Sequence, residues 1–373
     1  MTLSLLLVLA VVSLALSNGA NDNFKGVASL FGSRTVGYKV ALAWATVTTA
    51  AGSLAAVALA EALLKRFSGK GLVPDALASS ESYLVAIVVG AALTVLVASL
   101  LGLPISTTHA ITGAMVGSGW MAVGSAVQLS ALGKTVVLPL LLSPVLAVAL
   151  GAGVYAVLRA TRGIVGVTRA EDSCICLVET TAMTLTPGGT MALEATPSRL
   201  QLEVAHKADC EGRYAGRVFG VSGQRLVDVG HFASAGIVSF ARGLNDAPKI
   251  AAVLLASPLL GPKASLLAVA AAMAIGGLAG ARRVAETMSH KVTAMSTGQG
   301  LSASLATGSL VLAAGLAGLP VSTTHVSVGA LVGIGMMNGR ADLSVIRNIV
   351  LSWVVTLPTA ALLSALVYLA AQH

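Results

Sequence analysis

The chain has 373 residues, of which 56% are hydrophobic and only 10% charged, with a formal net charge of +8. So little charge excludes a soluble fold of this length, whose surface needs far more polar cover. The basic excess does not point to nucleic acid, because Arg34 and Lys39, Lys65 and Arg66, Arg159 and Arg162, and Arg282 and Arg283 sit scattered at the ends of apolar runs, where they orient and snorkel.

In chain order, residues 1–17 are apolar but lack the Lys or Arg of a signal-peptide n-region, so the segment reads as retained, one half of a broken transmembrane helix. It runs into Gly19-Ala20-Asn21-Asp22-Asn23-Phe24-Lys25. Ionised groups at this depth are costly and mark functional sites. Asn18, Gly19 and Asn21 are poor helix formers, which predicts unwinding there and a restart near Asp22, with Asp22 and Lys25 on one face. The runs 40–64, 83–103, 136–158, 264–281, 301–319 and 349–371 approach or exceed the ~20 apolar residues that a hydrocarbon core about 30 Å thick requires. They are rich in Gly and Ala, which suits close helix packing in lipid.

Gly102-Leu103-Pro104-Ile105-Ser106-Thr107-Thr108-His109 returns as Gly318-Leu319-Pro320-Val321-Ser322-Thr323-Thr324-His325. A Gly-Ala-x-Val-Gly-x-Gly run follows each copy. The Asn-Asp segment returns as Gly243-Leu244-Asn245-Asp246-Ala247-Pro248-Lys249, with Pro248 suited to the first turn of a restarted helix. Glu61 near Lys65 parallels Glu286 near Lys291, and interfacial salt bridges account for both. The chain therefore divides into repeats over 1–160 and 227–373. Between them, 161–226 is mixed in charge, with alternation at 200–204, and reads as a small β-type extramembrane insertion. Its junctional Arg159, Arg162, Arg169, Arg213, Arg217 and Arg225 predict a cytoplasmic location. Cys174, Cys176 and Cys210 are too few for a disulfide framework, and their spacing, even with His206, is too weak to assign a metal.

The fold class expected is an all-α polytopic membrane protein of two repeats, inverted in the manner of many carriers, with broken and re-entrant helices. In each Pro-x-Ser-Thr-Thr-His copy the proline ends one run and the serine caps the next helix. Backbone N–H groups and the hydroxyls of Ser106, Thr107 and Thr108, or Ser322, Thr323 and Thr324, then sit at a positive helix end, an anion site in form. His109 and His325, in the first turn, suit neutral hydrogen bonding or packing. A Ser106–His109 hydrolase lacks an orienting acid, so no catalytic residue is assigned.

At these motifs the sequence resembles the inorganic phosphate transporter family, which includes sodium-phosphate symporters and low-affinity phosphate permeases. The resemblance implies a carrier of inverted repeats with a phosphate site at the Ser/Thr helix ends and cation sites at Asn21-Asp22 and Asn245-Asp246. Lys25 and Lys249 depart from the family, standing where an asparagine is usual; they either bind the anion or take the place of a sodium ion. The expected function is secondary active phosphate transport in the cell membrane by alternating access, coupled to a proton or sodium and without a cofactor. A sulfate or other oxyanion permease and an anion channel are the alternatives, and homo-oligomers are compatible with it.

Overall fold

A computed structural model describes residues 2–67, 71–169, 175–180, 199–204, 214–256, 259–291, 295–339 and 341–372. The first repeat comprises α1 (Thr2–Asp22), α2 (Ala28–Gly32), α3 (Tyr38–Leu59), α4 (Glu61–Arg66), α5 (Asp75–Ala78), α6 (Glu81–Leu100), α7 (Thr107–Val123), α8 (Leu129–Leu132) and α9 (Leu138–Ile164). The second comprises α10 (Gly223–Ala251), α11 (Pro262–Gly280), α12 (Arg282–Glu286), α13 (Thr297–Leu316), α14 (Thr323–Met337) and α15 (Leu343–Ala370). Among the described residues, seven helices are long and apolar enough to cross a bilayer, and Thr323–Met337 is a shorter apolar helix. The chain is a multi-pass helical membrane protein.

Two compact units emerge, Met1–Thr161 with Val227–His373, and Arg162–Leu226. Among its described residues the smaller holds three two-stranded antiparallel sheets: β1 (Thr168–Arg169) with β4 (Tyr214–Ala215), β2 (Ile175–Thr180) with β3 (Arg199–Val204), and β5 (Arg217–Val218) with β6 (Val221–Ser222). The alternating run 200–204 lies in β3. Cys174, His206, Cys210 and Arg213 lie outside the described residues, as does the side chain of Cys176.

The repeats are inverted. α1 and α10 carry the corresponding Asn-Asp motifs, yet Asn18 meets Arg242, Gly26 meets Ser239 and Ser29 meets His231. Rising numbers in one segment meet falling numbers in the other, so the counterparts pass antiparallel. Each helix packs on the opposite repeat through matched glycines. A Cβ on Gly19 would lie 2.1 Å from the Met273 carbonyl oxygen, and one on Gly243 2.1 Å from that of Thr49. In the same way Gly117 lies against Ala361 of α15, and Gly333 against Val148 of α9. Only a missing side chain allows such approach.

The helix breaks differ from the sequence expectation. α1 does not unwind at Asn18–Asn21; it continues through Asp22, and a 3-10 turn over Asn23–Gly26 follows. The amides of Asn18 and Asn21 hydrogen-bond sideways to Asp22, Thr107, Ser99 and Leu103, which leaves the backbone ladder intact. Likewise Pro248 lies inside α10 near its end, with a 3-10 turn from Ala252 to Ala256 beyond it, and does not begin a new helix. The run 40–64 is divided at Ala60 into α3 and α4. Glu61 pairs with Lys65 at 2.7 Å on an exposed surface, and Glu286 pairs with Arg282 at 3.3 Å; the side chain of Lys291 lies outside the described residues.

Candidate functional site

Each Pro-x-Ser-Thr-Thr-His segment ends an apolar helix and starts a buried one. Ser106 adopts extended backbone and its hydroxyl accepts from the His109 N–H at 3.2 Å, capping α7. Ser322 caps α14 in the same way at 3.3 Å. The two helix N-termini converge: the Thr324 hydroxyl donates to the Ile105 carbonyl at 2.8 Å, and the rings of His109 and His325 lie 4.6 Å apart. His325 also stacks on Trp353, whose indole N–H donates to the Pro104 carbonyl at 3.2 Å. The histidines thus brace the helix ends by packing, and with Ser106 engaged as a cap no nucleophile–base pair is formed.

The lysines interlock the repeats. Lys25 Nζ donates to Asn21 Oδ1 at 2.8 Å, the Ile105 carbonyl at 2.7 Å and Thr324 Oγ1 at 2.6 Å, and pairs with Asp22 Oδ1. Lys249 Nζ donates to the Val321 carbonyl at 2.8 Å and Thr108 Oγ1 at 2.9 Å, with Asp246 at 3.6 Å. Each lysine therefore reaches a carbonyl of its own repeat and a threonine of the other. Asp22 also accepts from Asn18 at 3.0 Å and Thr107 at 3.2 Å, while Asn245 donates to Asp246 at 3.0 Å and to Val321 at 3.1 Å. Thr323 is buried beside this cluster and makes no side-chain hydrogen bond among the described residues. All of the predicted site residues thus gather around the two helix ends.

Arg242 is the member that sequence reasoning missed. It is 1% exposed and stands where α1 has Asn18, one turn before the aspartate. Its guanidinium donates to Asn18 Oδ1 at 2.6 Å, to Asn23 Oδ1 and Thr49 Oγ1 at 3.3 Å each, and lies 3.6 Å from Asp246. An arginine inside the apolar run before Asn245-Asp246 was the available signal. With it, Asp22, Lys25, Arg242, Asp246 and Lys249 form a buried cluster of three cationic and two anionic side chains. A surplus positive charge at two helix N-termini favours an anion. No group of His, Cys, Asp and Glu suited to a metal occurs among the described residues.

The model of the phosphate transporter family matches residues 18–364. A protein of Rhizobium meliloti named as a probable low-affinity inorganic phosphate transporter is 39% identical over 155 residues, 38% of this chain and 46% of that one. A protein of the same name from Mycobacterium bovis is 28% identical over 386 residues, covering 99% of this chain and 78% of that one. A solved structure titled "The sodium-dependent phosphate transporter" superposes with a TM-score of 0.76 at 22% identity, over 100% of this chain and 99% of that one.

Proposed function

The chain belongs to the phosphate transporter family, a family of transporters and not enzymes, and from that premise we propose that it carries inorganic phosphate across the cell membrane by alternating access, coupled to a cation. The observation that carries this reading is the buried, net-positive cluster where α7 and α14 meet. Backbone N–H groups and the hydroxyls of Ser106, Thr107, Thr108, Ser322, Thr323 and Thr324 face the anion, and Lys25 and Lys249 supply charge. A singly protonated phosphate also donates a hydrogen bond, which Asp22 or Asp246 accepts; sulfate at neutral pH cannot donate. Uptake of labelled phosphate into proteoliposomes against unlabelled sulfate tests the choice. Phosphate should compete and sulfate should not. Complete block by equimolar sulfate, with sulfate uptake insensitive to excess phosphate, overturns it.

The coupling ion is the proton in this reading, because each lysine brings a tethered cation to the Asn-Asp motif. Support comes from the oxygens around Lys25 Nζ, contributed by Asn21, Asp22, Ile105 and Thr324, a donor set that also suits a sodium ion. A free sodium at close range to that ammonium is repelled in a medium of low effective dielectric. Uptake should persist with choline in place of sodium and respond to a proton gradient; a strict sodium requirement refutes the tethered cation.

A further inference from the structure

Beside Lys25 lies a cavity of about 20 Å³, lined among others by Ser29, Ser304, Thr307 and Ser327. That is room for one water, which needs about 10–15 Å³ and polar partners. The Ser327 hydroxyl is buried without a hydrogen-bond partner among the described residues, and Ser304 pairs with Ser29 at 3.0 Å. The polar row continues outward: Ser29 meets His231 Nε2 at 2.9 Å, and His231 Nδ1 meets the half-buried Thr35 at 3.4 Å, in the turn between α2 and α3. The cavity and the hydrogen-bonded row Ser304–Ser29–His231–Thr35 thus lie in line between the charged cluster and a helix turn.

The inverted repeat supplies an internal control. Aligned on the motifs, Ser29, His231, Ser304, Thr307 and Ser327 correspond to Val253, Leu7, Val88, Ala91 and Ile111 of the opposite repeat. Those five belong to one buried aliphatic cluster. Buried hydroxyls cost more than aliphatic side chains unless something polar meets them. Symmetric helices packed only for stability have no reason to differ at all five positions. Among the described residues no carboxylate lines the cavity and the one charge at its inner end is the Lys25 ammonium, so its chemistry favours an anion passing between neutral donors.

We infer that the seam formed by Ser29, His231, Ser304, Thr307 and Ser327 is the oxyanion's route between the cluster and the α2–α3 turn, opened by parting of α2 from α13, while in this conformation the symmetry-related path is closed by aliphatic packing. The inference rests on the transport reading above. It is tested with single cysteines in a full-length chain whose Cys174, Cys176 and Cys210 are replaced by serine, using a small anionic methanethiosulfonate as probe. A thiol reacts only where the reagent reaches it, so Ser29→Cys and Ser304→Cys should be modified on the order of tenfold faster than Val88→Cys and Ile111→Cys, and phosphate should slow the first pair. Equal or faster modification of the second pair overturns the route. Modification of the first pair without phosphate protection, in a protein that takes up no phosphate, leaves the route standing and removes phosphate as cargo. As a second measurement, Ser304→Val should slow uptake while equilibrium phosphate binding in detergent stays at the parent value; parent-like uptake overturns the route.

Discussion

The first repeat brings Asn18, Asp22 and Lys25 to the charged cluster, and the second brings Arg242, Asp246 and Lys249 to the corresponding positions. The backbones repeat, but the charge does not: one half-site is balanced and the other carries an extra guanidinium. The hydrogen bonding differs as well. Asn21 accepts from Lys25 at 2.8 Å, whereas the side-chain oxygen of Asn245 is buried without a partner among the described residues. Asp22 meets its lysine at contact distance, while Asp246 stands 3.6 Å from both Lys249 and Arg242. The first half-site is a closed set of pairs. The second has polar atoms to spare, which suits it to give and take partners as cargo arrives and leaves.

The most direct way to break this contrast is Arg242→Asn, which gives the second repeat the residue of the first. Removing one member of a buried ion cluster costs about 3–5 kcal/mol, so uptake should fall by roughly a hundredfold or more. Adding Asn18→Arg returns the charge from the other side and should recover part of the rate; if the single variant transports normally, the surplus charge has no role in anion binding.

A smaller effect is expected at the lysines, and it should be unequal. Lys25→Asn opens four oxygen contacts and should lower sodium-free uptake about tenfold, on the scale of one or two charged hydrogen bonds of about 1.5–3 kcal/mol, while making uptake respond to sodium. Lys249→Asn, with two hydrogen bonds and a longer ion pair, should do less of both. Uptake measured across sodium concentrations decides between this order and its reverse.

The packing contrast is finer still. A Cβ on Gly117 would lie 1.9 Å from the Ala361 carbonyl oxygen, and one on Gly333 2.2 Å from that of Val148. Both alanine variants should lower the melting temperature, Gly117→Ala more, within the about 1–3 kcal/mol usual for overpacking. Equal shifts would indicate that both helix pairs relax alike.

The smallest expected effect is at the start of α15. Asp342 accepts from the N–H groups of Ser344 at 2.9 Å and Val345 at 3.2 Å, while the matching run of the first repeat begins at Leu129 after Gln128, without a side-chain cap. The Ser344 hydroxyl, followed by these backbone donors, holds the Asp342 carboxyl below its usual pKa. A carboxylate lowered by folding adds stability above the ordinary carboxylate pKa and loses it as pH falls through the lowered one. Asp342→Ala should therefore reduce the melting temperature slightly near neutrality and not at all in strong acid, as a pair of melting curves will show.

The sequence made the duplicated motifs legible, and with them the helical class and the residues around α7 and α14, because proline, serine caps and buried charge leave local marks. The helix breaks were less legible. Propensity places unwinding at Asn18–Asn21, but the amides found partners on α6 and α7, and tertiary contacts overrode the local preference. Arg242 was overlooked because it lies outside the Gly-x-Asn-Asp motif, and only packing reveals that its guanidinium crosses to Asn18. The one-sided row of hydroxyls was also invisible, since serines scattered over α2, α13 and α14 acquire meaning only when folding aligns them.

The exchange of glycine faces between repeats has a consequence for biogenesis. α7 is seated against α15, a helix of the second repeat that leaves the ribosome well after it, and α1 against α11. The first repeat is therefore inserted with its tightest surfaces uncovered and waits for the rest of the chain to fill them. Quality control of the nascent protein must tolerate half a molecule whose small-residue grooves face lipid, and a truncation anywhere before α15 leaves the seat of α7 unmade.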